Sequence, residues 1–314
     1  MWGNGYESQC TGMEISVLDL VGVQEEWCDC PGETDDILGV LFFIPSRTFT
    51  QGSDTDPCPS SDETPFTHTL TRDFLVMETE VSRQMWADLK AVQSTLPSDP
   101  THTTYGAGMN NPVQNNTWYE AVLFANILSV ERGLTRCYYK DAGFTTQVDV
   151  SNYSSGSFYC NFDANGYRLP SEGEWEYFTR AGTTGPFSID EPNYNPSTCH
   201  FSCNEATLPD LETVAVFCGN NSSQSEPVGR KDPNPWGLKD VHGNVWEWCW
   251  DRFGSYPSGS LTDYTGPTSG PTKRVARGGS WDSKAKYCRS ADHSWNWPSN
   301  RMYINGFRLV RTVP

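Results

Sequence analysis

The residues of this sequence that could carry redox or metal chemistry are its 11 cysteines and five histidines. The cysteines do not repeat the Cys-x-x-Cys spacing of a zinc knuckle, and no two histidines stand at His-x₃-His spacing. Cys137 and Cys160 bracket one polar insertion, whereas Cys199, Cys203 and Cys218 cluster in another. Disulfide bonds that staple these loops fit this distribution better than a metal does, and they indicate an oxidising compartment.

A second distinctive group of residues lies between RVARGGSW (274–281) and GFRLV (306–310). The interior is crowded with Trp, Tyr, Asn, Ser, Asp and His, and it fits neither the alternation of a strand nor a helical period. Aromatic and short polar side chains without a period are typical of antibody-like recognition surfaces, although an ordinary surface loop is the alternative. We therefore predict that residues 281–305 form an exposed binding face on a rigid frame. The predicted ligand-binding residues are Trp281, Asp282, Ser283, Lys284, Lys286, Tyr287, Asp292, His293, Ser294, Trp295, Asn296, Trp297, Ser299, Asn300, Met302, Tyr303, Ile304 and Asn305.

The charge of the chain is strongly negative and unevenly distributed. Its 22 Lys and Arg against 39 Asp and Glu give a net charge of −17, which argues against a nucleic-acid partner. Residues 271–314 carry nine basic and two acidic residues, a local charge of +7, so the rest of the chain carries −24. The basic segment is either neutralised against the acidic body or forms a face that meets an anionic ligand.

The sequence contains no run of 18 apolar residues, so we expect no membrane span. Its first residues, MWGNGYESQC, also lack the apolar core of a signal peptide. An export signal or lipid anchor could precede residue 1. The cysteine content favours an extracellular, cell-surface or periplasmic location.

The remaining patterns predict an α+β protein with at most three helices, many short strands and long loops. A strand pair is expected from residue 37, and an extended stretch over 74–80 is followed by a helix from about Ser82. Two capping boxes, Thr117 with Glu120 and Ser171 with Glu174, mark the starts of two further helices. The helix after Ser171 is expected to point Trp175 and Phe178 inward, and residues 183–235 are expected to be loops.

Several segments together resemble the formylglycine-generating enzyme family, also called sulfatase-modifying factor domains. They are IPSRTFTQGS (44–53), METEVSRQMWADL (77–89), NPVQNNTWYEAVLFANILS (111–129), YRLPSEGEWEYFTRAG (167–182) and GLKDVHGNVWEWCWDRF (237–253), followed by RVARGGSW and GFRLV. The resemblance runs from about residue 38 to the C-terminus and implies a C-type-lectin-like fold with little regular secondary structure. We accordingly divide the chain into an N-terminal extension, 1–37, and one domain, 38–314.

The resemblance does not by itself imply that this protein has the family's activity. Its enzymes oxidise a sulfatase cysteine to formylglycine with copper held by two cysteines placed shortly after the GGS motif, because soft thiolates bind Cu(I). Here the first of these positions falls on Ser283 and the second near Ala285, while the one cysteine present, Cys288, lies three residues further on. We therefore expect no copper and assign no catalytic residue. An oxidase of the formylglycine-generating type, or a related oxidoreductase acting on a protein cysteine, is the alternative.

The resemblance also implies a structural calcium site in the turn before Trp-Glu-Trp. The matching positions are Asp240, the backbone carbonyls of Gly243 and Val245, and Glu247. Carboxylate and carbonyl oxygens from a tight turn suit a hard cation. The alternative is that both carboxylates accept hydrogen bonds from the turn itself.

The C-terminal segment has a closer likeness still. It is similar to the variable proteins of diversity-generating retroelements, which place a randomised segment at the end of a C-type-lectin-like fold. Such segments follow RGGSW and end at GFRL, and they retain residues that are found here as Ala285, Cys288-Arg289-Ser290-Ala291, Pro298 and Arg301. This resemblance implies a non-catalytic protein that binds a protein or glycan ligand at a cell or phage surface.

Overall fold

The computed structural model describes residues 32–56, 59–189, 203 and 209–314. Within these ranges the α-helices are α1 (Arg83–Val92), α2 (Trp118–Glu131), α3 (Glu172–Arg180) and α4 (Pro209–Val214). The strands are β1 (Glu33–Asp35), β2 (Gly39–Ile44), β3 (Thr48–Gln51), β4 (Phe66–Thr69), β5 (Phe74–Met77), β6 (Tyr138–Tyr139), β7 (Tyr159–Cys160), β8 (Tyr167–Arg168), β9 (Ala215–Val216), β10 (His242–Gly243), β11 (Trp246–Arg252), β12 (Ser260–Thr262), β13 (Arg274–Arg277), β14 (His293–Asn296), β15 (Asn305–Gly306) and β16 (Val310–Thr312). The predicted mixed α+β class is confirmed.

The strands are short and form small sheets whose order is far from the chain order. A five-stranded sheet runs β1-β2-β5-β16-β8, so that the last strand of the chain lies between two earlier ones. A four-stranded sheet runs β14-β13-β11-β15 and carries the predicted binding segment. The strands β3, β4 and β12 form a third sheet, and two further strand pairs complete the set in the described part of the chain.

The helices begin where the local sequence signals place them. Thr117 and Ser171 accept hydrogen bonds from the backbone N–H groups of Glu120 and Glu174, whose carboxylates bond back to the two cap residues. These capping boxes satisfy donors that every helix start leaves unpaired, so both predictions are confirmed. Helix α1 follows Ser82, also as predicted.

Two large clusters of buried apolar side chains hold the sheets and helices together. The first surrounds α2, which is buried on most of its circumference and contributes Trp118 and Phe124. The second receives Trp175 and Phe178 from α3, and both are fully buried as the sequence predicts. Each large aromatic side chain buries a large apolar area and so makes a large contribution to the stability of the fold.

Four expectations are wrong in detail. The described part of the chain contains four α-helices, whereas the sequence predicts at most three. The region predicted as loops contains α4 and β9, because their short apolar stretch packs under the C-terminal segment in a cluster with Ala285 and Cys288. Strand β14 forms inside the segment that shows no period in the sequence.

Of the cysteines expected to staple loops, Cys203 and Cys218 are bonded (S–S 2.04 Å), but Cys137 and Cys160 are free thiols. The Cys137 thiol instead lies 3.2 Å from the carbonyl oxygen of Gly166. Cys199 and the predicted extension up to residue 31 lie outside the described residues.

Candidate recognition surface

Strand pairing holds the C-terminal segment in its middle and at its last residue. Strand β14 runs antiparallel to β13, with Arg274 opposite Asn296 and Arg277 opposite His293. At the other end β15 runs parallel to β11, with Asn305 opposite Trp246. The RVARGGSW motif and the start of GFRLV thus contribute strands to one sheet, and β14 joins the interior of the segment to that sheet.

A buried arginine anchors the middle of the segment to distant parts of the chain. The guanidinium of Arg289 lies 2.9 Å from one oxygen of Glu63 and 3.0 Å from the other, and 3.1 Å from Asp56. The Asp292 carboxylate lies 3.3 Å from the same guanidinium. Bidentate pairing of this kind fixes orientation as well as distance. The segment is therefore positioned by the scaffold and does not behave as a free loop.

The exposed part of the segment is dominated by aromatic rings. Tyr287, Trp295 and Trp297 keep 39, 39 and 43% of their surface exposed, unusually high values for such large apolar side chains. The two indoles meet edge to face with their centres 6.4 Å apart. The ammonium of Lys273 lies 3.1 Å from the ring centre of Trp295, which holds that ring in place by a cation–π contact.

The structure divides the 18 predicted ligand-binding residues into two sets. The exposed or half-exposed set is Asp282, Lys284, Lys286, Tyr287, Ser294, Trp295, Asn296, Trp297, Ser299, Asn300, Met302, Tyr303 and Ile304. The buried set is Trp281, Ser283, Asp292, His293 and Asn305. The buried residues support the surface from beneath, so their inclusion in the exposed face is corrected.

The contacts of two buried residues explain their positions. The Trp281 ring lies 5.6 Å from Tyr105, a residue far away in the sequence. The Ser283 hydroxyl lies 2.9 Å from that of Ser280. These contacts are long-range or depend on a tight turn, which is why the residue types could not reveal them.

A cleft of about 730 Å³ opens next to the segment. Its walls include Asp282, Lys284, Tyr287 and Ser294 from the segment, but also Pro59 and Ser60 from the chain before β4. Sequence reasoning missed the second wall, and it also missed Lys273, although that residue stands immediately before the RVARGGSW motif. A cleft of this volume is large enough for a small ligand or a few residues of a larger one.

Two charged groups that line the cleft have pKa values shifted from their usual range. Burial raises the pKa of Asp292 to about 7, against the opposing effect of Arg289 and with a further increase from Glu63. Burial lowers the pKa of His293, but Glu172, 2.8 Å from its Nδ1 atom, raises it above the usual value overall. Asp292 therefore changes charge near neutral pH, whereas His293 holds its proton more firmly than a free imidazole does.

Cys288 is enclosed in the protein interior. It packs with Phe187, Phe217 and Ala285, and burial raises the pKa of its thiol well above the usual range. Its sulfur lies so close to Gly279 that a Cβ atom added there would come within 2.5 Å of it. The other free cysteines that the structure describes, Cys137, Cys160 and Cys249, belong to or pack against different clusters. The described residues thus place no second free thiol beside Cys288.

The predicted calcium ligands are only partly suited to a metal. Asp240 is buried, and its Oδ1 atom has no hydrogen-bond partner, as the ligand of a cation would. Glu247, in contrast, accepts hydrogen bonds from the Arg308 guanidinium at 2.7 to 2.9 Å and from the indole N–H of Trp175 at 2.8 Å. In the described ranges no three His, Cys, Asp or Glu side chains are gathered to hold a metal. Calcium at this turn, with the carbonyls of Gly243 and Val245, stays a prediction.

Residues 37–313 match the family described as sulfatase-modifying factor enzyme 1-like domain. The chain belongs to this family. The mixed α+β fold built above is the formylglycine-generating-enzyme version of the C-type-lectin-like fold. Among the curated members, chaperone protein LppX of Paenibacillus barcinonensis is 32% identical over 218 residues, which cover 67% of this chain and 70% of that protein. The formylglycine-generating enzyme of Streptomyces coelicolor is 35% identical over 152 residues, but these cover only 46% of each chain.

Two solved structures extend the likeness over most of the domain. Variable protein 1 of Treponema denticola superposes with a TM-score of 0.71 at 31% identity, covering 87% of this chain and 95% of that one. CarF superposes with a TM-score of 0.63 at 23% identity over 87% of this chain and 98% of that one, which shows a shared fold. Within the part of the chain that is described, no helix is long and apolar enough to cross a membrane.

Proposed function

We propose that this family member is a non-catalytic ligand-binding protein, the diversified variable protein of a diversity-generating retroelement, which presents residues 281–305 to its ligand. The observation that carries the proposal is the combination of a sheet-bound frame with exposed aromatic rings at Tyr287, Trp295 and Trp297. The likeness to a variable protein over 87% of the chain supports it. A rigid scaffold lets exposed positions change without loss of the fold.

The surface chemistry supports a macromolecular ligand. Tyr and Trp provide rigid contact area at low entropic cost, and Ser294, Asn296, Ser299 and Asn300 next to them offer adaptable hydrogen bonds. We propose a protein or glycan at a cell or phage surface as the ligand class, and an extracellular, cell-surface or periplasmic location. The net charge of −17 disfavours a nucleic acid.

The alternative is a formylglycine-generating oxidase, and it is favoured by the similarity to the Streptomyces enzyme over nearly half the chain. Such an enzyme needs two accessible thiolates for copper, whereas Ser283 bears a hydroxyl and Cys288 is buried. Incubation with copper and a sulfatase-motif peptide separates the two functions. We expect no aldehyde on the peptide; aldehyde formation would favour the enzyme.

The binding function is tested by selecting ligands on the immobilised chain from displayed protein and glycan collections. A triple variant, Tyr287→Ala, Trp295→Ala and Trp297→Ala, should bind the selected ligands with an affinity at least tenfold lower than that of the wild type. Tyr159, 38% exposed in another part of the surface, provides the matched control as Tyr159→Ala, which should bind normally. Equal loss in the control, or no loss in the triple variant, would contradict the proposal.

A further inference from the structure

Strand β14 is an edge strand. It stands at the end of the four-stranded order β14-β13-β11-β15 and pairs only with β13 among the described residues. An edge strand presents a row of backbone N–H and C=O groups that a second chain can pair with. Proteins usually protect such edges with Lys, Pro or a bulge, but the sequence His-Ser-Trp-Asn of β14 contains neither residue.

The direction of the backbone groups of β14 follows from its neighbours. The N–H of Phe253 donates to the carbonyl oxygen of Lys273 at 3.0 Å, so Lys273 faces β11. Successive residues of a strand direct their backbone groups to opposite sides, and therefore Arg274 and Ala276 face β14. Their partners in the register are Asn296 and Ser294. The N–H and C=O groups of His293 and Trp295 must then point away from the sheet.

These outward groups have no partner within the described protein. None of the hydrogen bonds found outside the strand ladders involves the backbone N–H or C=O of His293 or Trp295. The cleft described above opens beside the first half of the strand, where His293 and Ser294 form part of its wall. A neighbouring strand would lie about 4.8 Å from β14, and the cleft provides open space for it beside His293 and Ser294.

We propose that an extended segment of a protein ligand adds to the free edge of β14 as a fifth strand, pairing its backbone with His293 and Trp295. This inference rests on the proposed binding function and narrows its ligand class from protein or glycan to protein. Alternating N–H and C=O groups match another peptide backbone, whereas a glycan does not offer that alternation. A second copy of this chain is a poorer occupant, because two molecules with a net charge of −17 repel each other.

The exposed rings next to the edge would add side-chain contacts to this pairing. Trp295 and Trp297 flank the edge and are held by each other and by Lys273. Backbone pairing provides affinity that does not depend on the side chains of β14, and the rings provide selectivity. Such a division would let the segment change its side chains and still keep one mode of binding.

The first experiment measures amide hydrogen exchange by NMR in the free protein. We expect the Ser294 and Asn296 amides to be protected by β13, and those of His293 and Trp295 to exchange much faster. The opposite pattern would overturn the proposal, because the outward groups would then belong to the ladder.

The second experiment uses a displayed library of random linear peptides as the probe. Peptides selected on the wild type are compared on Trp295→Pro, which removes one outward N–H, and on Trp295→Ala, which removes the ring but keeps the N–H. Proline is tolerated on an edge strand where its missing N–H faces solvent. Trp295→Pro removes the N–H that would donate to a carbonyl of the peptide, and that carbonyl is left unpaired. We therefore expect the peptide to bind Trp295→Pro about tenfold more weakly than Trp295→Ala.

A third arm needs no variant of the protein. Methylation of alternate backbone nitrogens in a selected peptide should abolish its binding to the wild type, and binding should slow exchange of the His293 and Trp295 amides. Unchanged binding of the methylated peptide, failure to select any peptide, or dimers of the free chain through β14 would each overturn strand addition. If strand addition fails while the triple aromatic variant still loses selected ligands, the proposed function stands without it.

Discussion

Arg289 in the binding segment and Glu63 in the chain before β4 form a bidentate ion pair, with both side chains almost completely buried. The pair joins the segment to a part of the chain more than two hundred residues away. It explains how a stretch of irregular sequence keeps a fixed shape. It also lies beneath the cleft, so the anchor and the proposed binding surface belong to one structural unit.

Glu63→Gln should destabilise the protein strongly. Removal of one partner leaves the Arg289 charge buried with less compensation, which costs about 3–5 kcal/mol in the free energy of unfolding. Chemical denaturation measures the loss. The control is Arg301→Ala, whose side chain is 45% exposed beside Glu120 and which should cost less than about 1 kcal/mol. Similar losses in the two variants would contradict the anchoring role.

Replacement of two tryptophans of the segment should have very different effects on stability. Trp281→Ala should lower stability by about 3–5 kcal/mol, because the ring is buried against Tyr105 and leaves a cavity. Trp297→Ala should change stability by less than about 1 kcal/mol, because the ring is 43% exposed. Thermal and chemical unfolding of the two variants provide the comparison. A marked loss of stability in Trp297→Ala would place that ring in the core instead of the binding face.

A buried histidine under the segment should make the protein sensitive to acid. His242 accepts the Ser188 N–H at Nε2 (3.0 Å) and lies 2.8 Å from the Cys288 carbonyl oxygen at Nδ1, so it is neutral. Burial lowers its pKa to about 4. The unfolded chain binds this proton near pH 6.5, so the contribution to stability is present above that pH and falls as the pH drops towards 4.

The size of this effect is on the order of 3 kcal/mol between pH 7 and pH 4. Unfolding free energies of the wild type and of His242→Gln across that range measure it. The difference between the two should shrink as the pH falls, because the variant has no group to protonate. A difference that is independent of pH would show that His242 is not held neutral.

The calcium proposal predicts a higher melting temperature in about 1 mM calcium than in chelator, because the metal would satisfy the unpartnered oxygen of Asp240. Asp240→Asn should reduce the difference. Equal melting temperatures in calcium and chelator would contradict the site and leave Glu247 with Arg308 and the Trp175 indole as its partners.

Local signals in the sequence predict the helix starts well, because a capping box such as Thr117 with Glu120 is complete within four residues. The family motifs predict the fold, and the aromatic segment predicts where the exposed rings lie. Strand β14 could not be predicted, because its pattern depends on pairing with β13. The buried position of Arg289 depends on Asp56 and Glu63, and that of Trp281 on Tyr105, all brought together only by the folded chain.

The central claim is that residues 281–305 are a diversified recognition surface. It is tested most directly by sequencing the gene and its surroundings in many cells of the source population. We predict an adenine-rich near-copy of this coding segment beside a reverse transcriptase gene, and substitutions concentrated at the exposed positions of 281–305, with the RVARGGSW and GFRLV motifs unchanged. Uniform sequence at these codons and no second copy of the segment would contradict the claim.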